Sequence, residues 1–523
     1  MGEQSVRERH DLRPVAAVLA ALLLVLGCFA LNSHAPPFSP DSWGYFELAR
    51  SFATDPYAIG TWRSYSSAIP YSSAFPPLWP LLIAGVDRFT GLGIYSGYLL
   101  NAALFIAFVL VAEAGVRDAF GRRWLGAASA LLLFAFPPFQ TELLAARAIP
   151  LQLLLLAATL WAMTRRELSP LTRAVTLGLL AGLLLMTRFD ALFLAGGLVL
   201  AAAFLARDWR ALPIAALAAL LPLMPWMLYS LATFGQPFAT DNAQVALSVD
   251  PREFVTNFHV QPPPSLADAP LQWAWKLVLH LPALVAAVLL VAVNALPGTL
   301  LATSALRHSG RAGLSLRIRD GEWWRSPRGR LALLIVLTLL PVGAYLITGY
   351  FNERYFSATV WLSGLGALLV LTDNPRAGDP RMFGACAALA VLFSLKVTLA
   401  PMVREGWSWA AQPLVGLDAD LRDARRFRPL LDCLDPARPR IAVLFADPTA
   451  AAHFGAISGH RAAMQPRNWS TLDADEVAEF LRRHEIGYAL PDARLRFPAG
   501  MARAAPGACA DQVELLDPTR AGT

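Results

Sequence analysis

Pro40-Asp41-Ser42-Trp43-Gly44-Tyr45-Phe46-Glu47-Leu48-Ala49-Arg50 follows the first apolar run of the chain, Pro14 to Leu31. An acidic, aromatic-rich amphipathic segment therefore stands at the mouth of a hydrophobic helix. A carboxylate at membrane depth is costly, and reads as functional by default. Further on, Phe75-Pro76-Pro77-Leu78-Trp79-Pro80-Leu81-Leu82-Ile83-Ala84 makes a proline-broken return towards the bilayer.

Composition sets the class. The 523 residues are 56% hydrophobic and 16% charged, with a mean hydropathy of +0.46. Soluble domains carry roughly 25% charged residues, so this is a polytopic membrane protein. The net charge of +6 does not point to nucleic acid, because the arginines sit in short loops between apolar runs. Lys276 and Lys396 are the only lysines. That bias, with abundant Ala, suggests a GC-rich bacterial source and hence a bacterial inner membrane. The four cysteines have no metal-ligand spacing and no His pair has the HExxH form. No cofactor is expected, and a divalent-metal requirement stays open. Pro14 to Leu31 lacks a small-residue cleavage site, so it is read as an uncleaved span.

Apolar runs of about 20 residues span a bilayer. They fall near 14–31, 93–112, 124–138, 146–163, 171–187, 189–206, 210–231, 272–304, 331–349, 355–372 and 382–400, with 75–90 re-entrant or interfacial. With a cytoplasmic N-terminus, the inside loops hold 20 arginines and the outside loops seven: Arg50, Arg63, Arg88, Arg147, Arg188, Arg252 and Arg354. The positive-inside rule puts Asp41 outside. The odd span count puts the C-terminal residues outside too, in the periplasm or extracellular space.

Residues 1–400 thus form a membrane domain with its first external loop at 32–92, and residues 401–523 a separate soluble domain. In the latter, Arg440 to Phe445 and Ile486 to Leu490 read as strands. Leu472 to His484, acidic early and basic late, reads as a helix with a complemented dipole. Strand, helix, strand implies a small α/β domain.

The segments at 40–50 and 75–84 resemble the first external loop of the GT-C glycosyltransferases. These multi-span enzymes take a sugar from a polyprenyl-phosphate carrier, and include protein O-mannosyltransferases and the lipid A aminoarabinose transferase. Ala446-Asp447-Pro448-Thr449, Gly459-His460-Arg461 and Pro466 resemble the extracytoplasmic tail of bacterial members. The resemblance implies the GT-C fold, about eleven spans, a polyprenyl-phosphate-linked sugar donor, and a lipid, glycan or protein acceptor. It implies inverting, base-assisted transfer of a hexosyl or pentosyl group. A lipid-linked sugar flippase and an inert relative serving as an assembly subunit are the alternatives. Ser42 stands where the family often has a second acid, and no Arg follows the base before Arg50.

In the family the acid after the first helix is the catalytic base, which here is Asp41. The local pattern alone reads Asp41 as a helix N-cap, and one residue can do both. Glu142, in Phe136-Pro137-Pro138-Phe139-Gln140-Thr141-Glu142, matches a second family acid, or is a solvated carboxylate opening the next helix. Glu47 reads as surface. Arg354 and Tyr355, in Gly349-Tyr350-Phe351-Asn352-Glu353-Arg354-Tyr355-Phe356, resemble the late Arg-Tyr motif that faces the donor phosphate. An arginine fork suits phosphate oxygens, while an interfacial Arg can also snorkel or pair with Glu353. Arg188 is either a second phosphate ligand or the partner of Asp190 in a short turn. Tyr45 and Arg63 are candidate substrate contacts; Trp43, Tyr45, Trp62 and Trp79 also fit an interfacial belt. His259 and Lys276 read as structural. Cys28 and Cys386 lie in expected spans, whereas Cys433 and Cys509 lie in the outside domain, where disulfides persist, and are expected to bridge the starts of its first and last strands.

Overall fold

In lipid every backbone polar group must be satisfied within the chain, so long apolar runs close into helices. The computed structural model describes residues 40–52, 75–93, 95–296, 298–300, 323–373, 427–435, 441–447 and 460–520, with Leu19, Thr303 and five positions between 450 and 458. Among the described residues, seven helices are long and apolar enough to cross a membrane: Tyr95–Phe120, Pro170–Thr187, Phe189–Ala206, Ala211–Phe234, Pro270–Asn294, Pro327–Thr348 and Glu353–Thr372. The molecule is an α-helical multi-pass membrane protein with a small C-terminal sheet domain. Apart from Leu19, the runs at 14–31 and 382–400 lie outside the described residues, as do Trp62 and Arg63.

The helices that matter here are α1 (Pro40–Ser51), α2 (Leu78–Thr90), α3 (Tyr95–Phe120), α4 (Leu125–Leu131), α5 (Pro137–Leu144), α6 (Ile149–Thr164), α7 (Pro170–Thr187), α8 (Leu192–Ala206) and α9 (Ala211–Phe234). They continue as α10 (Asp241–Leu247), α11 (Pro251–Thr256), α12 (Pro270–Asn294), α13 (Pro327–Leu339), α14 (Val342–Thr348) and α15 (Ser357–Asp373). The run at 124–138, expected as one span, is instead a broken helix pair. After α4 a 3-10 turn, Leu132–Ala135, leads to α5, which departs at 89°. Phe136 precedes Pro137, whose ring disfavours the helical conformation before it. Its backbone is extended, φ −111° and ψ 95°.

Small residues let the spans approach closely. A Cβ on Gly178 or Gly182 of α7 would collide with the carbonyl oxygens of Ala215 and Ala219 on α9, a small-xxx-small contact of the kind that packs membrane helices. Trp361 of α15 reaches across the bundle, stacking edge-on against Phe108 at 4.8 Å and donating to Ser129 Oγ at 3.1 Å.

The C-terminal sheet has the order β2-β1-β3-β5-β4, with β1 (Ala442–Phe445), β2 (Ala462–Met464), β3 (Ile486–Ala489), β4 (Ala502–Ala504) and β5 (Glu514–Leu516). β1, β2 and β3 run parallel, and β5 is antiparallel to both neighbours. The helix between the expected strands, α16 (Ala474–Arg483), opens on a reciprocal capping box of Asp473 and Glu476. Alternation along β1 serves two cores. Ala442 and Leu444 pack with Phe480 and Leu481, while Val443 and Phe445 pack with Phe427 and Phe454. Cys433 and Cys509 are disulfide-bonded beside the second core, with Cα atoms 5.7 Å apart.

This domain is fastened to the loop after α11. Phe258 is fully buried in the Phe480 core. Its N–H donates to Asn468 Oδ1 at 2.9 Å, and its carbonyl accepts from Asn468 Nδ2 at 2.8 Å. Arg483 donates to the Val260 carbonyl at 3.0 Å. At the loop's other end Lys276 of α12 donates to the Ala246 carbonyl at 2.9 Å and to that of Ser248, and His259 pairs with Glu253 at 2.9 Å. Truncating a buried Phe costs about 3–5 kcal/mol. Phe258→Ala is expected to lower the melting temperature of the C-terminal domain and speed amide exchange in residues 460–520; unchanged exchange there would show that the domain stands without this plug.

Candidate active site

Six charged side chains from four separate chain segments converge at one end of the helices. Asp41 lies in the first turn of α1. The helix already starts at Pro40, so Asp41 lies inside it and is not its N-cap; its Oδ2 accepts from Arg354 Nη2 at 2.9 Å and lies 3.8 Å from Arg147 Nε. Its side chain is 31% exposed, so one face of this carboxylate stays open.

Glu142 is near the end of α5, not a solvated residue opening the next helix. Its side chain is 1% exposed. Oε1 accepts from Arg354 Nη1 at 3.2 Å and from Arg147 Nη1. Among the described residues Oε2 has no hydrogen-bond donor. Burying a carboxylate this way requires a close counter-ion, and here there are two.

The segment after Glu142 is tied down from three sides. Ser42 Oγ of α1 donates to the Ala145 carbonyl at 2.6 Å. Trp79 Nε1 of α2 donates to that of Ala146 at 3.1 Å, and Asn101 Nδ2 of α3 to that of Leu143 at 3.1 Å. Ala146 holds a left-handed φ of 50°, a strained conformation for a residue with a Cβ. The tight turn brings the Arg147 N–H back onto the Glu142 carbonyl at 3.2 Å. The 89° break and these anchors together place Glu142 beside Asp41.

Arg354 enters from the opposite side of the chain. Gly349, at φ 70°, ends α14, and its backbone is pressed against the His280 ring, where a Cβ would lie 2.6 Å from Nε2. Asn352 Oδ1 accepts the Arg354 N–H at 3.2 Å and caps the short 3-10 turn Glu353–Phe356. Glu353 accepts from Asn294, not from Arg354. The guanidinium lies 5.1 Å over the Tyr355 ring and donates from Nη2 to its hydroxyl at 3.3 Å.

Arg188 does pair with Asp190. The contact is bidentate, Nε to Oδ1 and Nη2 to Oδ2 each at 2.9 Å, and the Tyr345 hydroxyl also donates to Asp190. The pair is not isolated from Arg354, because Arg188 lies 4.6 Å from the centroid of the same Tyr355 ring, upon which Tyr345 stacks at 4.7 Å. Tyr45 is buried against Phe75, ring centroids 4.4 Å apart. Burial raises its phenol well above the ordinary value, so it remains a neutral hydroxyl. Glu47, expected on the surface, is buried, because α1 is enclosed on several sides, with Tyr45, Phe46, Leu48 and Ala49 buried as well.

Asp41, Glu142, Arg354, Tyr355 and Arg188 are thus brought together, and the Cys433–Cys509 bridge lies in the other domain. Arg147, Asp190 and Tyr345 join the cluster without having been singled out as site residues. Among the described residues no three His, Cys, Asp or Glu side chains gather as a metal-ligand set. The arrangement offers an open carboxylate, a buried one and arginines suited to phosphate oxygens.

No protein-family model and no curated protein matches this sequence. Among solved structures, 96% of the chain aligns with 97% of ArnT from Cupriavidus metallidurans bound to undecaprenyl phosphate, at TM-score 0.52 and 15% identity. The same protein in the apo state aligns over 97% of this chain and 99% of its own, again at TM-score 0.52 and 15% identity. A looser likeness, TM-score 0.49 at 12% identity, pairs 92% of this chain with 70% of the Archaeoglobus fulgidus oligosaccharyltransferase. Over nearly its whole length, the chain has the GT-C fold.

Proposed function

We propose that this protein is a membrane glycosyltransferase that moves a sugar from a polyprenyl-phosphate donor to an acceptor hydroxyl outside the cytoplasm. The observation that carries the reading is Arg354 bridging Asp41 and Glu142, 2.9 and 3.2 Å away, with Asp41 open to solvent on one side. The ArnT structure with undecaprenyl phosphate bound supports the choice of donor class.

In the proposed step the acceptor oxygen attacks the anomeric carbon, and the bond from that carbon to the phosphate oxygen breaks. The bonding pair leaves with the phosphate, the configuration inverts, and the acceptor proton passes to Asp41. Charge bookkeeping favours this assignment. As the phosphate gains one negative charge, Asp41 loses one by protonation, so the cluster's net charge is constant through the step. Fixed guanidinium groups then stabilise the leaving phosphate without reorganising, the kind of electrostatic contribution that dominates such transfers. Arg188, locked to Asp190 but facing Tyr355, adds a fixed positive charge nearby.

Asp41→Asn is expected to insert normally yet lose about 10²–10⁴-fold in transfer rate, the usual contribution of a general base. Membranes holding wild type or variant, supplied with radiolabelled polyprenyl-phosphate sugars, provide the assay. Folded variant with near-normal turnover would leave Asp41 a structural residue. Arg354→Lys should impair donor use despite its unchanged charge, because a point ammonium cannot present two parallel donors to a phosphate as a planar fork does; donor dependence equal to wild type would place the phosphate site elsewhere.

We also propose a bacterial inner-membrane location with a cytoplasmic N-terminus and the C-terminal domain outside, in keeping with the arginine distribution and the Cys433–Cys509 bridge. Thiol labelling after denaturation should find Cys433 and Cys509 unreactive until a reductant is added. Free thiols at both positions in freshly isolated cells would argue for a cytoplasmic domain.

A further inference from the structure

Two arginines serve Glu142, and they are held in different ways. Arg147 belongs to the same anchored turn as Glu142, with its N–H on the Glu142 carbonyl and Nη1 on Oε1, and its side chain is 12% exposed. The backbone just before it is held by Ser42, Trp79 and Asn101 through the Ala145, Ala146 and Leu143 carbonyls. Arg354 comes from a separate segment behind the Gly349 turn. It touches Asp41 and Glu142 through one nitrogen each, and its buried Nε has no acceptor among the described residues. The Arg188–Asp190 contact shows the contrast, since there the fork meets one carboxylate bidentately. Single hydrogen bonds to two different carboxylates are individually easier to replace than a bidentate pair, which adds energy and geometric specificity.

We propose that Arg147 is a positioning residue, the resident counter-ion of Glu142 and Asp41, whose presence allows the Arg354 fork to turn from the carboxylates to the donor phosphate. The proposal rests on the reading of this cluster as a phosphate-linked donor site. With both arginines in place the four groups Asp41, Glu142, Arg147 and Arg354 are neutral in sum. When Arg354 engages a phosphate, Arg147 still lies on Glu142 and 3.8 Å from Asp41. Without Arg147, a nearly inaccessible carboxylate would depend for its direct ion pair on Arg354 alone among the described residues, and withdrawing that arginine would leave the buried carboxylate without a hydrogen-bonded counter-ion. Arg354 would then stay on the acids, and an incoming phosphate would meet an uncompensated negative site.

Binding of undecaprenyl phosphate to purified full-length protein, compared with neutral undecaprenol, tests this without knowing the sugar. Arg147→Gln is expected to weaken undecaprenyl phosphate by about tenfold, within the range for coupled neighbouring charges, and to leave undecaprenol unchanged. Arg147→Lys should restore most of the loss. Adding Glu142→Gln to Arg147→Gln should return phosphate binding to within about threefold of wild type, because the anion that detained Arg354 is gone. A purely structural role for Arg147 would weaken both lipids alike and show no recovery in the double variant. Phosphate binding unchanged in Arg147→Gln overturns the proposal. If that variant does not fold, the double variant decides: a loss of about tenfold or more overturns it. Wild type that binds undecaprenyl phosphate no better than undecaprenol would instead remove the donor-site reading, and this proposal with it.

Discussion

The guanidinium of Arg354 lying between Asp41 and Glu142 is the interaction on which the rest of this site depends. It joins the first external segment, the broken helix pair and the start of the last described span, positions 313 and 212 residues apart in sequence. Glu142 is close to inaccessible, and a buried carboxylate persists only where cations come to it. The fold therefore has to deliver Arg354 and Arg147 together. Asp41, with a third of its surface open, is under no such constraint and can exchange partners.

Much of the helical architecture serves that delivery. The 89° bend at Phe136–Pro137 turns α5 so that Glu142 shares Arg354 and Arg147 with Asp41 of α1, and Ser42, Trp79 and Asn101 fix the following carbonyls. Gly97 lets Phe46 close down, since a Cβ there would come within 2.8 Å of its ring. On the other side Tyr355 is shared by two arginines, one already neutralised by Asp190. A cluster built this way is rigid towards Glu142 and Arg188 but replaceable at Asp41 and Arg354, where a ligand would have to act.

The membrane class, seven of the helical spans and the strand–helix–strand core of the tail could be read from hydropathy, period and loop charge, because each is a property of short contiguous stretches. Asp41, Glu142, Arg188 and Arg354 were legible as candidates because charged residues are rare at the ends of apolar runs. What joined them was not. Arg147 counted only as one more loop arginine, with no motif around it, and its place on Glu142 follows from the left-handed turn at Ala146. Asp190 read as a local partner of Arg188; the contribution of Tyr345 to it spans 155 residues and leaves no trace in spacing. The break at Phe136–Pro137 was visible in the Pro-Pro pair, yet hydropathy averaged over 124–138 concealed it. Glu47 reads as surface on an amphipathic α1 with one solvent face, whereas packing encloses the helix.

The most direct test is a structure of the protein with undecaprenyl phosphate bound. A phosphate oxygen is expected within hydrogen-bonding distance of Arg354, with Asp41 released from Nη2 and facing the acceptor side, and Arg147 unmoved on Glu142. Arg354 still on Asp41, with the phosphate held by other residues, would contradict its assignment to the donor phosphate.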